Sequence, residues 1–301
     1  MAHHTATVPT RPLIGERARR RTWRGLSSLH AIVRRKTALI GLLIVALVVV
    51  AAILAPQIAP FEPTKMHARD RLQGPSAEYW LGTDESGRDL FSRILYGARI
   101  SAVAAASATA LAMAVGIPIG LICGYRGGFV DDVLMRVLDG FLAIPPVLLA
   151  LTLLAALGPS QINVIIAVGA LGMPLTARIT RASVLVERER DYTLAARAIG
   201  ATDGYIMWRI LLPNSLPPLI VTASLLAANA ILLEAALSFL GLGVQPPRAS
   251  WGVLLQLGYG YMSHSVWYVT FPGICIFLLV WSLNVLGDAL RDGLDPRLRG
   301  L

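Results

Sequence analysis

The sequence predicts an all-α membrane protein with six transmembrane helices. The chain of 301 residues is 55% hydrophobic and only 15% charged, with a mean hydropathy of +0.63. This is more apolar surface than one water-soluble core can hide. Apolar runs recur at about the 20 residues that cross a hydrocarbon core, where a helix satisfies its own backbone groups. Lipid is therefore the expected solvent for most of the chain.

Six apolar runs have the length of a membrane span. In chain order they cover residues 37–58, 101–124, 133–157, 162–179, 216–240 and 266–286. The third contains Pro145 and Pro146, and the fourth contains Gly172 and Pro174. Both are predicted to be kinked, with neighbouring helices satisfying the freed carbonyls.

Basic residues orient the chain. The tail 1–36 is rich in arginine and holds a single acid, Glu16, which places it in the cytoplasm by the positive-inside rule. Six spans return the tail 291–301 to the same side, and the arginine-rich loop near 187–214 also falls there. The long basic lead favours an uncleaved anchoring helix over a signal peptide. The expected organisation is this anchor, an extracytoplasmic segment at 59–100 and a five-helix domain at 101–290.

The extracytoplasmic segment contains an acidic stretch at residues 80–89, followed by apolar and basic residues that suit a surface helix. Its acids Asp84, Glu85 and Asp89 do not have the ligand spacing of an EF-hand calcium loop. We therefore interpret them as structural caps.

Sequence signals for catalysis are missing. A phosphate-binding loop ends in Gly-Lys-Ser/Thr, whereas the only lysines are Lys36 and Lys65, outside any such loop. No nucleophile elbow or His-Glu-x-x-His pair is present. Cys123 and Cys275 lie in apolar runs and predict packing rather than a metal site. Basic residues are not interleaved with aromatics, so no nucleic-acid partner is expected. We predict a non-catalytic chain with no metal and no cofactor of its own.

The loop between the fourth and fifth spans predicts a docking element for a separate motor protein. Ala195 and Ala196 would give a short helix a flat surface, Gly200 would let the chain turn, and Pro213 would stop a second short helix before the membrane resumes. The residues assigned to this loop are Ala195, Ala196, Arg197, Gly200, Ile210, Leu212 and Pro213. The alternative is that these small residues only help helices to pack.

Several separated motifs resemble the C-type permease subunit of dipeptide and oligopeptide ABC importers, over about residues 35–298. Before the fifth span they are Leu81-Gly82-Thr83-Asp84, Gly87-Arg88-Asp89, Tyr96-Gly97-Ala98-Arg99 and Ala195-Ala196-Arg197-Ala198 with Gly200-Ala201. From the fifth span onward they are Glu234 to Gly243, Gln245-Pro246-Pro247, Ser250-Trp251-Gly252, Asn284, Gly287 to Asp292 and Asp295-Pro296-Arg297. Two positions depart from the family pattern: Leu194 stands where a glutamate is usual, and Met173 where a tryptophan is usual. The first puts in doubt a docking contact that needs a carboxylate.

The resemblance implies a type I ABC importer transmembrane domain with an extra N-terminal anchoring helix, in the bacterial cytoplasmic membrane. It implies a second, B-type permease, two ABC ATPase subunits or one fused ATPase that bind ATP and Mg²⁺, and an extracytoplasmic solute-binding protein. Peptides are the implied cargo, and glutathione, a nickel complex or haem remain open. An ion-coupled secondary transporter is the alternative of another class, although it has no use for a coupling loop.

Polar residues inside the spans are candidates for the pathway or for contacts between subunits. They are Glu234, Asp139 and Asn284. Asp139 lies three residues after Arg136, which predicts an ion pair on one helix face. Glu234 has no evident local partner and is expected to face a neighbouring helix, a partner subunit or the pathway.

Overall fold

The computed structural model describes residues 35–294, which fold almost entirely into helices. The only β contact in this range is an isolated antiparallel bridge between Thr83 and Asp89. The helices are α1 Lys36–Ile58, α2 Leu90–Arg126, α3 Gly128–Ala143, α4 Pro146–Leu157, α5 Gln161–Glu187, α6 Asp191–Ala198, α7 Asp203–Phe239, α8 Trp251–Tyr259 and α9 Trp267–Leu294. The predicted all-α membrane fold is confirmed. Most of the two predicted tails, 1–36 and 291–301, lies outside the described residues.

Within residues 35–294, five helices (α1, α2, α5, α7 and α9) are long and apolar enough to cross a bilayer. The pair α3 and α4 passes the same criterion together, but its two helices meet at 93°. The kink predicted in the third span is therefore confirmed, although the bend is sharp enough to divide the span into two helices. Pro146 has no N–H to continue α3, and Pro145 forces Ile144 into the extended conformation observed, with φ −95° and ψ 133°.

The spanning helices extend beyond the apolar runs at which they were predicted. α2 begins at Leu90 rather than near residue 101, because the Asp89 carboxylate accepts the Ser92 N–H at 2.8 Å and caps the helix. α5 continues to Glu187, past residue 179. The capping role predicted for Asp89 is confirmed.

The centre of the fold is the tight packing of α2 against α5. Gly116, Gly120 and Gly124 repeat every four residues on α2 and therefore share one face. A Cβ on Gly116 would lie 2.6 Å from Thr176 Cβ, and one on Gly120 would lie 2.5 Å from Thr180 Cβ. Non-bonded carbon atoms do not approach this closely, so these positions must be glycine for the two helices to pack at this distance.

The acidic stretch at residues 80–89 is not helical, and the apolar and basic residues after it, predicted as a surface helix, form the buried start of α2. Gly82 and Gly87 have φ values of +85° and +72°, and they fold it into a compact loop. The Asp84 carboxylate is fully buried and accepts from Arg88 Nε at 2.6 Å and from Arg93 Nη1 at 2.8 Å. The alternation of acids and bases in this stretch therefore reflects internal ion pairing, because buried charges need partners.

Candidate functional site

The predicted docking loop contains a short helix, α6, held against the end of α5. The Thr193 hydroxyl is buried and donates to the Glu187 carbonyl at 2.8 Å. The Thr193 N–H donates to the Arg190 carbonyl at 2.8 Å, and the Tyr192 hydroxyl donates to the Glu187 carboxylate. Backbone and side-chain bonds therefore fix the angle between the two helices.

Gly200 ends α6 with a left-handed turn. Its φ is +82°, its N–H donates to the Arg197 carbonyl at 3.0 Å, and the Ala201 N–H donates to the Ala196 carbonyl at 3.1 Å. These bonds satisfy carbonyls that the helix end leaves free. A Cβ on Gly200 would meet nothing within 4 Å. Backbone conformation, rather than space, therefore requires glycine here.

A polar contact and an apolar cluster join this turn to the end of α2. The Arg197 guanidinium lies 5.5 Å from the centre of the Tyr125 ring, and the Tyr125 hydroxyl donates to Asp203 Oδ1 at 2.6 Å. Beneath them lies a cluster of buried side chains from α2, α5 and α7: Leu121, Val184, Ile206 and Leu211. The ends of three spanning helices therefore meet under α6.

The outer side of α6 is apolar and exposed. Ile199 is 86% exposed and Leu194 is 45% exposed. Ala195, Arg197 and Gly200 are exposed beside them, and Ala196 is half-buried. Sequence reasoning missed Ile199 and Tyr125 as parts of this site. For Ile199 a signal was available, because it is an isoleucine directly before a turn glycine and outside any apolar run.

Pro213 does not end a short helix, contrary to the prediction. α7 continues through it from Asp203 to Phe239, with a π-helical turn at Ile206–Leu211. The wider turn accommodates the proline. The Leu212 N–H donates to the Met207 carbonyl, five residues back, and the side-chain amide of Asn214 donates to the Ile210 carbonyl at 2.7 Å. Two other predicted docking residues, Ile210 and Leu212, pack half-buried against the apolar cluster under α6 instead of on the exposed surface.

Asp139 does not pair with Arg136 as predicted. Its carboxylate accepts from Arg178 on α5, and both side chains of this pair are about half exposed. A second ion pair, Asp131 with Arg181, joins the same two helices nearer the start of α3 and the end of α5. The packing of α3 against α5 brings these partners together, and a single-helix pattern contains no information about it.

Glu234 is buried between three helices. Its carboxylate accepts from Ser101 Oγ on α2 at 2.9 Å and from Ser238 Oγ, one turn further along α7, at 2.8 Å. The Trp251 N–H of α8 donates to the same Ser101 hydroxyl at 3.3 Å. Glu234 therefore has a local partner, contrary to the prediction, and of the three expected surroundings it faces neighbouring helices.

Asn284 lies on α9 and lines an open apolar groove of about 500 Å³ whose lining includes neither Glu234 nor Asp139. The groove is also lined by Leu232, Leu255, Gly273, Ile276, Phe277, Val280 and Trp281. The three polar candidates thus do not form one site. Among residues 35–294, no three His, Cys, Asp or Glu side chains are grouped so that they could hold a metal ion.

Comparisons with known proteins match nearly the whole chain. Residues 116–300 match the family described as "Binding-protein-dependent transport system inner membrane component", and residues 21–75 match "N-terminal TM domain of oligopeptide transport permease C". Similar relatives include the dipeptide transport system permease protein DppC of Alkalihalophilus pseudofirmus, 42% identical over 88% of both chains. The di/tripeptide transport system permease protein DppC of Pseudomonas aeruginosa is 43% identical over 88% of this chain and 89% of the relative.

Two further comparisons extend the coverage and support the fold. The glutathione transport system permease protein GsiD of Pectobacterium atrosepticum is 38% identical over 98% of this chain and 97% of the relative. Among solved structures, a chain of the inward-facing MetNI methionine ABC transporter matches with a TM-score of 0.54 and 20% identity, over 68% of this chain and 96% of that chain. At this identity the structural match supports the fold alone.

Proposed function

This chain belongs to the family of binding-protein-dependent transport system inner membrane components, and from that premise we propose that it carries peptides through a bacterial cytoplasmic membrane. It is the multi-pass permease component of an ABC importer. The proposed cargo is dipeptides or short oligopeptides, because the similar relatives from Alkalihalophilus and Pseudomonas are described as dipeptide and di/tripeptide permeases.

The observation that carries the proposed mechanism is the exposed apolar surface of α6. In an aqueous compartment Ile199 and Leu194 would leave apolar area in water, so a protein partner is expected to cover them. We assign this surface to a separate ATPase that binds ATP and Mg²⁺ and performs the hydrolysis. The residues on it are Tyr192, Leu194, Ala195, Ala196, Arg197, Ile199 and Gly200. The permease itself needs no cofactor.

The contacts of α6 suit a lever. Thr193 ties the helix to α5, and Arg197, Tyr125 and Asp203 tie its end to α2 and α7. A displacement of α6 would therefore move the cytoplasmic ends of three spanning helices together. ATP can drive transport only if it favours one of two arrangements of the permease, which a rigid coupling of this kind transmits.

The remaining partners follow from the family and from the exposed faces. Half of a pathway needs a second permease, for which we propose the homologous B-type subunit, with two ATPases or one fused ATPase beneath. An extracytoplasmic binding protein would deliver the cargo. The ion pair of Arg35 with Asp292, 2.6 Å apart, joins the start of α1 to the end of α9. With the basic N-terminal lead, this supports two cytoplasmic termini.

Glutathione is the second candidate cargo. The relative from Pectobacterium is described as a glutathione permease and aligns with 98% of this chain. Competition in uptake separates the two candidates: excess unlabelled glutathione should leave dipeptide uptake unchanged if peptides with ordinary α-linkages are the cargo. Inhibition of dipeptide uptake by glutathione, already at the concentration of the labelled dipeptide, would favour glutathione as the cargo.

The coupling proposal is tested with Ala196→Asp and Gly200→Pro in the assembled transporter. Both variants should reach the membrane at normal level but lose ATP-driven uptake, because the first places a charge on the docking surface and the second forces φ near −65° where it is +82°. Ser263→Asp adds the same charge to an exposed position between α8 and α9 and should have no effect. Undiminished uptake by both loop variants would disprove the assignment.

A further inference from the structure

α3 has three different sides. One side is charged and exposed, and consists of Asp132, Arg136 and Asp139. The next is apolar and 82%, 42% and 56% exposed at its three residues, which are Phe129, Val133 and Val137. The third side is buried and holds Asp131 and Leu138. Counted from Asp139 at about 100° per residue, these sides lie at about 0–60°, 80–160° and 260–280°.

The chain between α2 and α5 has to cross the membrane once. A Cβ on Gly116 of α2 would contact Thr176 of α5. Eight residues later, a Cβ on Gly124 would contact Val184, which is also eight residues further along α5. α2 and α5 therefore run parallel, and the chain between them returns to the opposite side. α4 suits this crossing, because Pro146–Leu157 includes no charged side chain.

α3 stays at nearly one depth along α5. Its Asp131 pairs with Arg181. Its Asp139, eight residues later, pairs with Arg178. Eight residues of α3 cover about 12 Å, whereas the three residues between the two arginines cover about 4.5 Å of α5. α3 therefore runs across α5 rather than alongside it.

This depth is the edge of the membrane on the side of α6. The apolar run 162–179 of α5 ends beside Arg178 and Arg181, and the helix continues to Glu187 near α6. About 20 residues cross the hydrocarbon core, so a span that begins at Gln161 also ends near residue 180. The 93° bend then directs α4 along the membrane normal if α3 lies in the membrane plane.

The two exposed sides of α3 need different surroundings. Apolar side chains exposed to water are unfavourable as a group, and charges exposed to hydrocarbon are costly. At the boundary between water and lipid one helix satisfies both conditions, because its apolar side can face the acyl chains while its charged side faces the headgroups. The depth of α3 along α5 places it at this boundary.

We propose that α3 is an interfacial helix that lies flat in the membrane surface beside the docking loop, with phospholipid as the partner of its exposed apolar side. The charged side meets the headgroups, and α4 alone returns the chain across the bilayer. The ion pairs of Asp131 and Asp139 then hold the end of α5 at the membrane surface. This inference concerns the contact with lipid, so it does not depend on the cargo or on the ATPase.

Apolar contact, rather than charge, is what holds α3 in this position. Asp132 and Asp139 contribute two negative charges to the exposed surface, and Arg136 with Arg178 of α5 contributes two positive charges. The sum is zero, so attraction to anionic lipid adds little, and burial of the apolar side supplies the stabilisation. Vesicles of neutral phospholipid are therefore sufficient for a test.

Nitroxide spin labels on single cysteines measure the depth of α3 in the assembled transporter, in phosphatidylcholine vesicles. Cys123 and Cys275 are replaced by alanine. The labelled variants are Phe129→Cys, Val133→Cys and Val137→Cys on the apolar side, and Asp132→Cys and Arg136→Cys on the charged side. Oxygen partitions into lipid and a nickel chelate stays in water, so relaxation by the two gives each depth. The three apolar positions should share one depth, about 5–10 Å into the boundary. The nickel chelate should reach the two charged positions several-fold more readily.

Three results would overturn the proposal. A depth that increases steadily by about 12 Å from Phe129 to Val137 would mean that α3 is part of a span. Labels on the apolar side that neither oxygen nor the nickel chelate reaches would mean that the second permease covers this side. Equal and high access of the nickel chelate to both exposed sides would mean that α3 lies in water.

A matched pair of lysines supplies an independent check. Val137 and Ala155 are both exposed, and each is nine residues after the first residue of its helix. From the membrane surface a lysine can extend its charge into water, so Val137→Lys should keep its membrane level. Ala155→Lys places the charge about 14 Å along α4, in hydrocarbon, and should lower the membrane level about tenfold or more. Equal membrane levels of the two variants would contradict the difference in depth.

Discussion

Gly200 and Gly204 form a matched pair that isolates the role of the turn after α6. A Cβ at either position would meet nothing within 4 Å, so an alanine causes no clash at either. They differ in backbone conformation: Gly200 has φ +82°, whereas Gly204 lies in the first turn of α7. Gly200→Ala should therefore introduce strain, and Gly204→Ala should not.

The magnitude follows from the left-handed conformation, which costs an L-residue about 1–2 kcal/mol. Gly204→Ala should instead gain up to about 1 kcal/mol of helix stability. The strain at Gly200 is relieved by opening the two hydrogen bonds that close α6, from the N–H groups of Gly200 and Ala201. A penalty of this size raises the open fraction about 5–30-fold.

Hydrogen exchange read by mass spectrometry on the peptide covering residues 191–201 measures this opening in the assembled transporter. Gly200→Ala should accelerate exchange within that peptide by about 5–30-fold and lower the peptide carried per ATP hydrolysed. Gly204→Ala should leave both unchanged. Equal exchange in the two variants would show that the turn does not hold α6 in place, and the lever would lose its physical basis.

Three further variants test the packing that supports the lever. Gly120→Ala should lower the stability of the solubilised permease by about 1–3 kcal/mol or more, because the new methyl group forces α2 from α5, whereas Gly140→Ala, inside α3, has free space and should gain up to about 1 kcal/mol. Asp84→Ala should cost about 3–5 kcal/mol and reduce membrane level, because it leaves the buried Arg93 without a carboxylate and Arg88 with Glu85 alone. Glu234→Gln should retain assembly, uptake and cargo preference, because an amide keeps hydrogen bonds to both serines, whereas Glu234→Ala should lose about 1–3 kcal/mol.

Each of these has a decisive contrary result, the first two in thermal unfolding and the third in uptake. Equal midpoints for the two glycine variants would mean that α2 and α5 are less tightly packed than described. An Asp84→Ala protein as stable as one carrying Glu62→Ala, at an exposed acid, would mean that the charge cluster is open to water. A changed cargo preference in Glu234→Gln would place that residue on the pathway rather than between helices.

Apolar length and motif order were enough to predict the membrane class and the family, and each predicted apolar run overlaps one long helix or, for the third run, the bent pair α3 and α4. Local patterns were also enough for the cap at Asp89 and the turn at Gly200, because each depends on neighbours within a few residues. The bend between α3 and α4 was underestimated. Two adjacent prolines indicate a break, but the angle of 93° depends on what the two halves pack against.

The errors share one physical cause, which is that tertiary packing selects among local possibilities. Asp139 had a partner three residues away, yet pairs with Arg178, 39 residues distant, because α3 packs on α5. Proline usually ends a helix, yet a π-helical turn and the side-chain amide of Asn214 accommodate Pro213 within α7. The charged stretch at residues 80–89 resembled a solvated surface, yet its glycines fold it inward around Asp84.

The role proposed for α6 is that a separate ATPase acts on its exposed surface. A photo-crosslinking amino acid in place of Ile199, the most exposed apolar side chain of the loop, tests it in the assembled transporter. The account predicts an adduct with the ATPase subunit whose yield changes between the nucleotide-free and ATP-bound states. Adducts with lipid or with the extracytoplasmic binding protein, and none with the ATPase in either state, would contradict it.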